Sequence, residues 1–336
     1  MTIYVKLFRR FFLNISKWTL FSFNLYLYIS NFNMLQKQAT HGYIWAFVAV
    51  LAMSNVYIFS KAALNEVHLV QFGFYWFLFG LTWNLVFALK TCKLSTFRNL
   101  RKKQLIILML IGILEISGTT LFFTGISTIE NPSVASFLAN MTPVFVTILG
   151  VFVLSERFNR IEVLGMILTV GGAFIISYRG SQSMQQLFLP GSEFIVASSL
   201  IFAFSTIVVK KNVLKLPPAL LSLNRVIFLF IFSLAMLPVF NQSLHVSTSA
   251  LINMGIGSVL GPFLAVLASY NALRYIEAAR ASILGSSKGL FVLVGAYLYF
   301  NNIPEKIQII GGIITIAGVL MVTFGKMKLN RKKVGK

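Results

Sequence analysis

The sequence has no aspartate, and its 8 acidic residues are all glutamate, set against 29 lysines and arginines. Charged residues of both signs fill 11% of the 336 positions, where a soluble domain carries about 25%. So few charges could not cover the surface of a water-soluble chain of this size. Cysteine is nearly missing too: Cys92 stands alone, which excludes an intramolecular disulfide and a cysteine-built metal site. The histidines His41, His68 and His245 are isolated near the ends of apolar stretches, so no histidine metal or acid–base cluster is expected. No glycine-rich phosphate cradle is present, and with it goes any sign of ATP as a driving force.

What the chain has is apolar length. Hydrophobic residues make up 57% of it and the mean hydropathy is +0.82, the composition of a polytopic membrane protein. Ten apolar segments lie near 42–61, 69–89, 104–124, 133–154, 161–178, 192–210, 219–240, 250–271, 280–300 and 307–325. Each is long enough to cross a hydrocarbon core of about 30 Å. Backbone groups must be satisfied within each span, so the segments predict helices joined by short loops.

The basic residues supply the orientation. With ten spans, 24 of them fall on one side, including Lys90, Arg101, Arg157, Lys210, Arg274 and Lys333, and three fall on the other, Lys61, Arg179 and Lys306. That asymmetry predicts both termini on the cytoplasmic side of the cell membrane. The net charge of +21 therefore points to an anionic lipid surface. No basic stripe with interleaved aromatics lies outside the segments to suggest a nucleic acid.

Residues 1–40 stand apart. The run from Trp18 to Phe32 is apolar but short for a span and is interrupted by Asn24. Three readings compete for it: an interfacial anchor, a signal-like segment without a small-residue cleavage site, or sequence upstream of a true start at Met34. The last is favoured, and the extension is expected to be poorly ordered or interfacial. A basic tail, 328–336, closes the chain.

The chain repeats itself. The stretch from Asn131 to Ser177 has a looser copy from Ala281 to Gly325, with Ser282 answering Ser136, Gly289 answering Pro143, Gly311 answering Gly165 and Gly318 answering Gly172. Lys61 and Trp76 share the spacing of Lys210 and Arg225. Two five-helix units follow, 41–180 and 190–327. An odd number of spans per unit forces the copies into opposite orientations, about an axis in the membrane plane. The fold expected is an all-α membrane protein of ten transmembrane helices, two inverted five-helix repeats.

The run from Val134 to Val144, then Leu154-Ser155-Glu156 and Ile161 to Gly165, resembles the EamA-type repeat of the drug/metabolite transporter superfamily. The resemblance covers about 42–325 and is weaker in the first two and the sixth to eighth segments. It implies ten helices around a central cavity, with the third, fourth, eighth and ninth segments prominent in its lining. It also implies transport of small metabolites, often export of amino acids. Asn302 stands where the first repeat has Glu156, and Trp76 where the second has Arg225, so no particular substrate carries over.

Charges inside spans are expensive and mark pathways or pairs. Glu115 in the third segment and Lys288 in the ninth lie at similar depth near the midplane. They are expected to pair in the empty carrier and to hold the carboxylate and ammonium of a zwitterionic solute. A fixed structural pair, or a protonated Glu115, is the plainer reading. Arg225, nearer its helix start, is expected to snorkel to the cytoplasmic headgroups, with an inner gate as the alternative. Asn140 and Ser287 are further ligand candidates because they adjoin backbone irregularities at Pro143 and Gly289. Tyr270 and Asn55 are weaker ones, as are Ser54 and Asn271. Glu156, with Arg157 and Arg160, is by the resemblance a gate or structural contact and otherwise a solvated loop, and Pro143 and Gly289 are gate or structural candidates too. The tryptophans Trp45, Trp76 and Trp83 are expected at the membrane interface, and Gly165, Gly171, Gly172, Gly311, Gly312 and Gly318 at close helix contacts.

These residues favour a secondary transporter of small polar metabolites, an exporter of amino acids or related compounds, needing no cofactor or metal and meeting a solute and the bilayer. A carrier of anionic solutes centred on Lys288 is the rival within the class. An intramembrane enzyme or scaffold with a degenerate carrier fold is the rival outside it.

Overall fold

The computed structural model describes residues 40–92, 100–154, 159–177, 189–278, 281, 284–285 and 287–334. The amino-terminal extension, Glu156 with Arg157, and Ser282 and Ser286 lie outside the described residues. Among the described residues there is no strand. The helices are α1 (Thr40–Leu64), α2 (Leu69–Thr91), α3 (Lys102–Thr128), α4 (Pro132–Leu138), α5 (Met141–Leu154), α6 (Arg160–Ser177), α7 (Ser192–Asn212), α8 (Pro218–Val239) and α9 (Thr248–Ser258). A π-helical turn, Val259–Ala265, joins α9 to α10 (Val266–Tyr275), and α11 (Lys288–Phe300) and α12 (Lys306–Val334) follow.

Seven helical runs are long and apolar enough to cross a bilayer: α1, α2, α3, α7, α8, the α4–α5 unit and the α9–α10 run. Shorter apolar helices, Val163–Ile176, Lys288–Phe300 and Lys306–Met321, fall on the fifth, ninth and tenth apolar segments. The solvent logic is inverted. Large apolar side chains such as Ile167, Ile231, Met109 and Leu298 face outward, while Asn84, Glu115, Ser133 and Asn140 are buried. In water that surface would aggregate; in lipid it is the matching solvent.

Local sequence sets the helix boundaries. His68 caps α2 by accepting from the Val70 N–H, and Gln71 closes a reciprocal capping box. Asn131 accepts from Ser133, and Pro132 starts α4 with the φ that a first turn needs. The fourth segment, read as continuous from the sequence, breaks at Ala139–Asn140. Pro143 has no N–H to offer Ala139, whose carbonyl accepts from Thr142 instead, at 3.1 Å.

Two helix pairs meet through reciprocal contacts. A side chain at Gly172 would press on the Gly311 carbonyl at 2.7 Å, and one at Gly318 on the Gly165 carbonyl at 2.6 Å, so α6 and α12 run antiparallel with backbones nearly touching. In the second pair, Gly73 of α2 packs on Ser233 of α8, while Ser222 of α8 donates to Asn84 of α2 at 2.6 Å. In both pairs a residue of one half meets the counterpart of its partner's contact, the signature of a self-complementary interface.

Candidate functional site

Glu115 lies at the middle of the 27-residue α3 and is buried. Its Oε2 accepts from Arg225 Nε of α8 at 2.6 Å, and its Oε1 from Ser205 Oγ of α7 at 2.6 Å. Arg225 Nη2 donates to Thr119 Oγ1 at 3.1 Å. Thr119 is one turn beyond Glu115, so one face of α3 presents both partners. An unpaired charge here would cost several kcal/mol; close geometry and extra hydrogen bonds are what make a buried pair tolerable.

This pair forms one wall of a cavity of about 270 Å³, at the small end for a metabolite site. Lys288, the first residue of α11, lines the same cavity. Its ammonium has no ion-pair or hydrogen-bond partner among the described residues. Tyr57 and Tyr270 also line it, and their hydroxyls likewise meet no partner among the described residues.

The cavity runs to Ala46 near the start of α1, Leu273 in the last turn of α10, and Ala281. Elsewhere its wall is aromatic, with Tyr57, Trp76, Phe122 and Phe123 lining it and Phe72 packed against Trp76 and Phe123. Phe72 and Trp76 lie 4.8 Å apart between ring centroids, Phe72 and Phe123 4.7 Å, and Tyr57 and Phe122 5.1 Å. Trp76 fits because Gly257 opposes it: a Cβ there would stand 2.3 Å from the indole. Beside the cluster, Pro262 interrupts the long helix with its π turn, as π segments often do at functional sites. Asn84 Nδ2 holds the Pro262 carbonyl at 2.9 Å.

The structure brings Glu115, Lys288, Tyr270, Arg225 and Pro143 to one cavity and corrects several expectations. Glu115 does not pair with Lys288; Arg225 takes that place. Arg225 does not snorkel to a headgroup, because its guanidinium is held by Glu115 and Thr119. Asn55 is exposed on the outer face of α1 and donates to Leu51 O at 2.8 Å. Asn140 is buried against α12, donating to Thr315 at 3.2 Å, and Ser287 turns back to Leu284 O at 2.6 Å. Neither reaches the cavity. Gly289 packs closely on Phe137. Trp76, expected at the interface, is in the cavity wall and 1% exposed. Gly171 faces open space and makes no helix contact.

Ser205 and Thr119 were not singled out from the sequence. For Thr119 a signal existed, the one-turn spacing from Glu115. For Ser205 none did, since serines recur throughout α7.

A sequence profile of the EamA-like transporter family matches residues 40–178 and 189–324. An uncharacterized transporter of Archaeoglobus fulgidus is 25% identical over 287 residues, covering 82% of this chain and 95% of that protein. A protein of known crystal structure superposes with a TM-score of 0.65 at 14% identity, over 86% of this chain and 99% of its own, a likeness of fold. The apolar helices, the repeated profile and the relative agree on a multi-pass membrane transporter. The chain belongs to the EamA-like transporter family.

Proposed function

We propose that the protein is a secondary carrier that exports a small polar metabolite, an amino acid or related carboxylate, across the cell membrane by alternating access. The observation that carries this reading is the cavity itself: a buried ion pair, and an ammonium with no partner among the described residues, around a space of metabolite size in a transporter-family chain. The reciprocal contacts of α6 with α12 and of α2 with α8 support two halves inverted about an axis in the membrane plane, ten spans in all. Exchanging the conformations of such halves reverses which side is open.

The distribution of basic residues supports cytoplasmic termini. In that orientation the lining at Ala46, Leu273 and Ala281 lies toward the cytoplasm, which supports an inward-facing state. Reconstitution into liposomes, with a panel of labelled amino acids and organic anions, tests the reading. Lys288→Met should abolish transport in a protein that still folds. Failure of every solute to move faster than through empty liposomes would sink the carrier reading.

A further inference from the structure

We infer that the cavity recognises a monoanion with an apolar body, and that Lys288 anchors its carboxylate. This rests on the carrier reading and narrows its substrate class. The charges decide first. Glu115, Arg225 and Lys288 together leave the cavity with one net positive charge, and a single carboxylate neutralises it. A dianion would reverse the imbalance and a cation would double it, each at a steep cost in a low-dielectric space.

The hydrogen bonds decide next. A zwitterion needs an anionic partner for its ammonium, and the carboxylate found among the described lining residues is already paired with a cation. Glu115 Oε1 already accepts from Ser205 and Oε2 from Arg225, both at 2.6 Å. Each oxygen keeps a second lone pair, but a substrate ammonium there would share a carboxylate whose charge Arg225 already neutralises. The donors, by contrast, are in surplus. The Lys288 ammonium, the Tyr57 and Tyr270 hydroxyls and Nη1 of Arg225 meet no partner among the described residues. They offer an incoming carboxylate charge-assisted bonds without breaking an existing one. Lys288 also opens α11, where the helix dipole adds positive potential. Met53, Trp76, Phe122, Pro143 and Phe202 supply apolar wall, interspersed with hydroxyls such as those of Ser198, Ser199 and Ser269, and the apolar share suits a hydrocarbon or aromatic body.

The test uses the purified full-length protein with three solutes of one shape: α-ketoisocaproate, zwitterionic leucine and neutral isocaproamide. Binding is read as a thermal-stability shift in detergent, and transport as counterflow in proteoliposomes against empty ones. The keto acid should stabilise the protein and exchange, leucine should bind at least about tenfold more weakly, and the amide should do neither. Lys288→Met should weaken keto-acid binding by at least about tenfold, and Lys288→Arg should restore part of it.

Leucine or the amide binding as tightly as the keto acid would overturn the inference. So would a Lys288→Met protein that binds the keto acid like wild type. Should Lys288→Met fail to fold, the wild-type ranking of the three solutes and the Lys288→Arg protein still decide. Keto-acid binding through Lys288 without exchange would uphold the inference and sink the carrier reading; faster exchange of leucine would do the reverse.

Discussion

Lys61 and Lys210 occupy equivalent places in the two halves. Each lies near the end of the first helix of its half and donates to the end of the third: Lys61 to Ser127 O at 3.0 Å, and Lys210 to Leu273 O at 2.8 Å. Those carbonyls are 146 residues apart, the repeat distance of the chain. Each ammonium satisfies helix-end carbonyls and meets the negative end of a helix dipole. Replacing Lys61 by Met should cost about 1–3 kcal/mol of stability. Lys210→Met should cost more, because that ammonium also serves Ile276 O at 2.8 Å. Thermal unfolding in detergent checks both, and an undisturbed Lys210→Met protein would refute the reading.

The α6–α12 crossing makes a sharper case, because it contains its own control. A methyl on Gly172 would meet the Gly311 carbonyl and Thr315, each at 2.7 Å, whereas Gly171 next to it has nothing within 4 Å. Gly172→Ala should therefore destabilise by about 1–3 kcal/mol through forced separation of two backbones. Gly171→Ala, on an open helix face, should be neutral or slightly stabilising. Equal melting temperatures for the two variants would contradict the packing described.

These two sites also show what the sequence could reveal. The lysines and the paired glycines were legible because repeat spacing is a property of the chain alone. Counting residues into each span put Glu115 and Lys288 at one level, and the two line one cavity. Direction around the helix axis was not legible. Helices apolar on every face give no stripe to show which side turns inward, so Asn55 was chosen although Tyr57, two residues on, is the one that lines the cavity. Arg225 was misjudged for the same reason. Its distance from the helix start suggested a headgroup, and the packing of α8 on α3 turns it to Glu115 instead. Asn140 and Ser287 were chosen for their nearness to backbone breaks, but the break at Ala139 turns Asn140 toward α12.

Outside the spans, Glu66 accepts from Ser247 and from Ser249, the latter at 2.7 Å, tying the end of the first helix to the start of α9 in the other half. These hydroxyl donors favour the ionised carboxylate and hold it below its ordinary value of 4.5. A depressed folded pKa means that the contact stabilises above that value and is lost as pH falls through the folded pKa. Wild type should thus be more stable than Glu66→Gln at neutral pH, and the two should converge under acid. Parallel stability curves down to acid pH would count against this link between the halves.

The Glu115–Arg225 pair calls for a double-mutant cycle. Arg225→Met leaves a buried carboxylate without its partner and should destabilise by about 3–5 kcal/mol. Adding Glu115→Met removes that orphaned charge and should recover most of the loss in stability. Transport should stay abolished in the double variant, because the cavity has lost the polar wall beside Lys288. Arg225→Lys should rescue poorly, since an ammonium cannot serve Glu115 and Thr119 through one planar fork. If the double variant melts as low as Arg225→Met alone, the pair is not the coupled unit its geometry indicates.

Alternating access makes a prediction that no static pocket would. Ala281 lines the cavity in this conformation, and its counterpart one repeat earlier, Ala135, is fully buried. If the halves exchange conformations, the two positions exchange accessibility. With Cys92→Ser as background, a cysteine in place of Ala281 should react with a water-soluble maleimide in the state seen here, and one in place of Ala135 should not. A condition that protects the first should expose the second. Transport-active protein in which both positions stay fixed, one always reactive and the other never, would exclude an exchange of the halves and require a different route through the bilayer.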